Sequence, residues 1–271
     1  MNPKISPIFP YFDEAKNSED IFCLFRTECG ITVLHGHDYY ELEFILEGHG
    51  TQWINNTRFD MSPGSLYLLS PEDEHRLLLN QTTRLISIHF NAKAAARMGL
   101  DFIREAYSTT MDSENFCLFK HLLSRYPEEN PTQNQTRWLL GVTTLLVSHL
   151  LETGQTYSAG SNHRQIQTAL HYIQKNYQNP NLSLKEVAAV CHLSQCHFSV
   201  KFHEYVGFGF AKYLSFYRLQ RVCLLLLEQT QTVTEIALQC GFSSMSHFYR
   251  LFHHTYGCTP KEYPKKFSED F

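Results

Sequence analysis

The sequence predicts an α+β chain of two domains: an N-terminal antiparallel β-barrel with dimerisation helices, then an all-α domain built from a double helix-turn-helix. Three observations predict it. Short β-rich runs separated by turn residues dominate residues 21–90, the second half repeats itself after 49 to 50 residues, and charge divides unequally between the halves. At ~150 residues per domain, 271 residues supply about two packed cores. With 43% hydrophobic and 18% charged residues, the chain is neither a disordered polyelectrolyte nor a collagen-like or coiled-coil rod.

The barrel rests on runs at 21–25, 31–34, 41–46, 51–54, 65–69 and 85–90, punctuated by Gly48 and Gly50, Asn55-Asn56 and Pro63-Gly64. Helical patterns follow at 92–107, 114–126 and 133–151. The last has Trp138, Leu139, Val142, Leu145, Leu146, His149 and Leu150, more apolar surface than one face requires, which makes it the expected seam of a homodimer, the alternative being a helix buried on its own barrel. A polar linker, 153–162, joins the domain at 1–152 to the domain at 163–271.

Residues 1–160 hold 12 Lys+Arg against 20 Asp+Glu, and the remainder 11 against 7, so the halves carry −8 and +4. A basic module joined to an acidic one points to polyanion binding by the second half. The purest aliphatic run, Leu224 to Leu227, is far short of the ~20 residues of a membrane span. Pro3, Pro7 and Pro10 interrupt the N-terminus, where no apolar targeting core stands. Eight cysteines without C-x-x-C spacing read as reduced thiols, and the expected location is cytoplasmic with no membrane partner.

In the second half, Ser183-Leu-Lys-Glu186-Val-Ala188 returns as Thr232-Val-Thr-Glu235-Ile-Ala237, and Cys191 as Cys240. After one inserted residue, His197-Phe198 returns as His247-Phe248, Phe202-His203 as Phe252-His253, Gly207 as Gly257 and Tyr213 as Tyr263. One supersecondary unit is used twice. Ser183 and Thr232 stand three residues before a glutamate, the spacing of a capping box. Each short helix ends at a tight turn, where Gly241 or His192 takes positive φ. Ser194, and Ser243 or Ser244, then cap a second helix that buries Phe198 and Phe202, or Phe248, Leu251 and Phe252. Residues 210–228 form one long helix that holds the units apart.

These motifs, with Gly241-Phe-Ser-Ser244, Phe248-Tyr-Arg-Leu-Phe252 and Gly257-Cys-Thr-Pro260 before Tyr263, make residues 165–267 resemble the AraC/XylS-type transcription regulators. The resemblance implies two helix-turn-helix units entering successive major grooves of double-stranded DNA, ~34 Å apart. Carried over by position, the DNA-binding residues are Gln195, Cys196, Ser199 and Val200, with Lys201 for phosphate, then Met245, Ser246, Tyr249 and Arg250. Many family members place Arg-Leu where this chain has Val200-Lys201. Arg250 keeps the bidentate contact with guanine that valine cannot make. RNA polymerase is a further partner implied for such a regulator.

His35-Gly-His37, Glu41 four residues on, Gly48 and His75 resemble the cupin pattern, in which three histidines and a glutamate converge inside a barrel. Metal ligands would be His35, His37, Glu41 and His75, a donor set suited to a divalent transition metal. In the alternative, with no obligatory cofactor, His35, His37, Tyr39, Glu41 and His75 hydrogen-bond a sugar-like effector against Trp53 or Tyr67. His89 reads as a core residue facing the same interior. The expected function is a DNA-binding transcription regulator, not an enzyme, whose cupin-like domain senses a sugar or related metabolite. The rival is a metal-dependent cupin oxygenase or isomerase with a DNA-binding tail; no residue is assigned a catalytic role.

Overall fold

The structure, a computed structural model, describes residues 20–100, 102–127, 131–157, 164–228 and 230–268. These fall into two compact units, one comprising residues 20–29 and 36–157, the other residues 30–35 and 164–268.

The first unit is a nine-stranded sheet curled into a near-closed barrel, with the strand path β5-β4-β7-β3-β6-β8-β9 and with β1 and β2 also pairing β7. Its strands are β1 Ile21–Ile31, β2 His35–Gly36, β3 Tyr40–Glu47, β4 Gly50–Ile54, β5 Thr57–Met61, β6 Ser65–Leu69, β7 Glu74–Phe90, β8 Ala106–Thr110 and β9 Gln155–Tyr157. Curling depends on β7, whose 17 residues pair with β4 through Leu79 and with β3 from Arg84 onward. The β4–β5 hairpin turns at Asn55 and Asn56, both at positive φ (50° and 67°), as a two-residue hairpin turn demands.

Alternation along β3 sorts its side chains. Tyr40, Leu42, Phe44 and Leu46 join Ile86, Ile88 and Phe90 of β7 in an apolar layer. That layer packs beneath α1 (Ala92–Arg97), α2 (Ser113–Leu123) and α3 (Gln133–Thr153), to which the helices contribute Ala94, Phe119, Leu139 and Leu146. Glu41, Glu43 and Ile45 take the opposite face, where Ile45 meets Tyr67, Leu69 and Leu85 in a second cluster.

Three expectations change. The helix expected at 92–107 ends at Arg97, because Gly99 turns with φ 69°; Leu100 and Ile103 pack their helix-like spacing from a loop, and Ala106 begins β8. Residues 32–34 form no strand: they are buried in the other unit, where the Tyr213 hydroxyl donates to the Leu34 carbonyl at 2.9 Å. Within the expected linker 153–162, β9 adds an edge strand to β8; residues 158–162 of it lie outside the described residues.

The second unit contains α4 Arg164–Asn176, α5 Leu184–Val190, α6 Gln195–Val206, α7 Phe210–Glu228, α8 Val233–Gln239, α9 Met245–Tyr256 and α10 Tyr263–Ser268. Caps match the duplicated motif. Ser183, Ser194, Thr232 and Ser244 each accept from the backbone N–H three residues on, and His192 (φ 55°) and Gly241 (φ 84°) make the tight turns. Phe198, Phe202, Tyr213, Phe248, Phe252 and Tyr263 form fully buried aromatic packing. Among the described residues, no helix is long and apolar enough to cross a membrane.

Candidate functional site

Within the barrel, register places the polar residues together: Glu41 lies opposite His89, Glu43 opposite Ser87, and His75 opposite Ile54. Glu41 is the hub. Its Oε2 lies 3.4 Å from Nε2 of both His37 and His75, while Oε1 lies 3.2 Å from His89 Nε2 and 3.4 Å from Arg26 Nη1. All five side chains are almost wholly removed from water. Arg26 also pairs with Glu28 and donates to Ser87 Oγ at 2.8 Å. Gln52 donates to Glu43 and lies 3.4 Å from His75 Nδ1. Tyr39 stacks on His37 and on His89, with centroids 4.4 and 4.9 Å away.

The two glutamates titrate in opposite directions. Burial pushes both upward, but the imidazoles of His89, His37 and His75 hold Glu41 well below the usual carboxylate range. Burial, together with the Glu41 charge, pushes Glu43 up to about 8. One anion next to a neutral acid is the low-energy state of two neighbouring buried carboxyls. Burial lowers His89, against the pull of Glu41.

His37, Glu41 and His75 offer donor atoms within 4.8 Å of one another and could hold a metal ion. His37 is prepared for it: Nδ1 lies 2.6 Å from the Tyr39 carbonyl, to which it can only donate, so in the neutral ring Nε2 carries the bare lone pair. That lone pair faces the Glu41 carboxylate, an arrangement that a cation relieves. His37 Nε2, Glu43 Oε1, Gln52 Oε1 and both His89 ring nitrogens make no hydrogen bond in this buried interior. So many orphaned polar atoms fit a site for a polar ligand or ion.

Two expected members stand apart. His35 is part-buried with Nδ1 2.8 Å from the Val33 carbonyl, because β2 ends at Gly36 and the strand alternation that would align His35 with His37 stops there. Trp53 takes the opposite face of β4 from Gln52, and the Arg76 guanidinium covers its ring at 4.7 Å. Arg26, Glu28, Glu43, Gln52 and Ser87 join the cluster without having been singled out in the sequence. Only the cross-strand register reveals them.

The second helices of the two helix-turn-helix units are α6 and α9. Gln195, Cys196, Ser199 and Val200 are exposed on α6; Ser246, Tyr249 and Arg250 are exposed on α9, with Met245 half-buried. Val200 keeps 51% of its surface in water and Tyr249 43%, high for apolar groups. Lys201 is tied back, its Nζ donating to Gln165 at 3.0 Å. His247 Nδ1 lies 3.3 Å from Arg250 Nη2.

One chain thus joins a barrel enclosing a polar cluster to a twinned helix-turn-helix unit. Residues 31–136 match the AraC-like ligand binding domain, and residues 187–266 match a helix-turn-helix domain. The chain belongs to the AraC-type transcriptional regulators, a family of regulators rather than enzymes. It is 28% identical over 229 residues to an HTH-type transcriptional regulator of Staphylococcus aureus (strain MSSA476), covering 81% of this chain and 30% of that protein. It thus spans about a third of the length of those Staphylococcus relatives. It is 24% identical over 246 residues to the transcriptional activator RhaR of Mannheimia succiniciproducens, covering 86% and 87% of the two chains. Apo ToxT from Vibrio cholerae shares the fold at a TM-score of 0.57 and 14% identity, over 92% of this chain and 98% of that one. A ToxT structure with an unsaturated fatty acid bound matches at 0.53 and 15%, over 90% and 93%.

Proposed function

We propose that this protein is a sequence-specific DNA-binding transcription regulator whose barrel senses a small polar molecule. The observation that supports the DNA reading is the twinned, exposed face of α6 and α9 on two units joined by α7. Selection of bound duplexes from a random pool by the full chain tests it. Enrichment of two short motifs about one helical turn apart is expected; no enrichment over the starting pool overturns it.

A polar effector, sugar-like in carrying several hydroxyls, suits the barrel better than the acyl chain that ToxT accommodates. Threading methylenes among Arg26, Glu41, Glu43, Gln52 and the histidines would desolvate those groups without giving them partners, at ~2 kcal/mol or more for each. A divalent transition metal fits the same cluster, held by His37, Glu41 and His75, and when bound would orient and polarise an oxygen-bearing effector. Thermal shift with pentoses and hexoses, against an unsaturated fatty acid, separates these effector classes: stabilisation by the fatty acid alone overturns the polar reading.

The exposed stripe of α3, where Trp138 and Leu145 remain 40% and 57% accessible beside Leu118 of α2, supports a homodimer. Leu145→Glu should leave unfolding unchanged and weaken self-association at least tenfold in sedimentation equilibrium. An unchanged dimer constant would place the seam elsewhere. RNA polymerase is the partner such a regulator would meet at a promoter.

A further inference from the structure

We infer that the barrel's ion site has three protein ligands, His37, Glu41 and His75, that His89 is the residue positioning Glu41 for them, and that His35 takes no part. This deepens the metal reading above and rests on it.

The argument is the division of labour between the two oxygens of Glu41. Oε2 stands 3.4 Å from two imidazole Nε2 atoms. Ligands at ~2.0–2.1 Å from a tetrahedral ion lie ~3.4 Å from one another, so this spacing is already that of a coordination edge. Oε1 points the other way, 3.2 Å from His89 Nε2 and 3.4 Å from Arg26 Nη1. The His89 imidazole and the charge of Arg26 flank that oxygen, so the carboxylate presents a single oxygen to an ion. His89 does not belong to the group whose donor atoms lie within 4.8 Å of one another. Behind the ligands, the Tyr39 carbonyl fixes the His37 tautomer, and Glu43 Oε2 lies 3.8 Å from His75 Nδ1. Such outer partners are what orient metal-binding imidazoles and carboxylates.

His35 lacks this setting. Its Nδ1 lies 2.8 Å from the Val33 carbonyl, and it is not in the group whose donor atoms lie within 4.8 Å of one another. Three protein ligands leave a coordination position open, the arrangement of a site that takes an exchangeable ligand rather than a closed structural ion. The class of ligand it accepts is an oxygen donor, a hydroxyl or a carboxylate.

The test uses untagged full-length protein, stripped with chelator and titrated with Co(II). Affinity is read by competition with a chelating dye, and coordination by the visible absorption of the ion. One Co(II) per chain is expected. His35→Ala should bind within about twofold of the parent with the same spectrum. His89→Ala should weaken binding 10–100-fold and give weaker bands, as Oε1 is released to join the coordination sphere. His89→Gln, whose amide N–H can reach Oε1, should restore most of both. If His35→Ala loses the ion, or if His89→Ala changes neither affinity nor spectrum, the assignment is wrong. If His89→Ala does not fold by circular dichroism, His89→Gln carries the decision, because a spectrum unlike the parent's overturns the positioning role. A parent protein that takes up no Co(II) overturns the metal reading itself and leaves the DNA-binding reading standing.

Discussion

Arg250 is exposed on α9 with Nη2 3.3 Å from His247 Nδ1, a contact that holds the guanidinium out along the helix face. Its counterpart in the first unit, Val200, can offer a thymine methyl only apolar contact. Arg250→Ala should therefore cost ~1–3 kcal/mol at one guanine position while leaving discrimination elsewhere unchanged. Anisotropy titrations against duplexes substituted one base at a time check this. Equal losses on every duplex would assign Arg250 to phosphate instead. Gly241 tests the scaffold beneath. A Cβ there would stand 2.5 Å from the Tyr177 carbonyl oxygen and 2.9 Å from Arg218 Nε, at a φ of +84°. Arg218 cannot give way cheaply, because it donates to the carbonyls of Tyr177 (2.8 Å) and Asn179 (2.7 Å). Gly241→Ala should cost at least ~2 kcal/mol. His192→Ala, at the equivalent turn, should change stability by less than half of that in thermal unfolding.

The caps of α5 and α8 come from the same motif yet differ in strength. Thr232 and Glu235 complete a reciprocal box, with the Glu235 carboxylate accepting from the Thr232 N–H at 2.8 Å. In the first unit Glu186 accepts instead from the Tyr172 hydroxyl at 2.7 Å, and Ser183 caps without that return bond. Thr232→Ala should thus cost ~1–2 kcal/mol and Ser183→Ala ~0.5–1 kcal/mol, measured by urea unfolding. A larger loss at Ser183 would show that the reciprocal bond adds nothing. This helical half was legible because caps, turn residues and apolar spacing are local signals, written twice: α7 spans 210–228 as expected. The barrel was legible only where a strand keeps one buried face. Exposed Asn80, Gln81 and Thr82 interrupt β7 where it passes from β4 to β3, so its first half does not read as strand. β5, Thr57–Met61, is a polar edge strand with little apolar signal. His37, Glu41 and His75 are marked by resemblance to the cupin pattern. His89 reads from strand period only as a core residue facing the same interior, and Arg26 is not singled out, since their convergence depends on pairings between residues up to 61 positions apart.

At the scale of the whole molecule, the question is whether the two readers act as one. α7 has 19 residues and so is ~28 Å long, with Tyr213 and Tyr217 buried at its first turns and Val222 and Cys223 buried further on. A continuous helix anchored in both units admits one separation between the readers, close to the ~34 Å of a duplex turn. Inserting 5 base pairs between the two motifs turns the second half-site to the opposite face of the duplex. Affinity should then fall to that of a single unit. Inserting 10 base pairs restores the face but adds another ~34 Å, which α7 cannot stretch to cover, so affinity should not recover. Two readers on a flexible tether would instead recover at 10 base pairs, because effective concentration falls only gradually with linker reach. Anisotropy titrations of the full chain on the three duplexes decide between them. Recovery at 10 base pairs would mean that α7 does not fix the geometry of recognition, and that the paired motif reports two independent binding events.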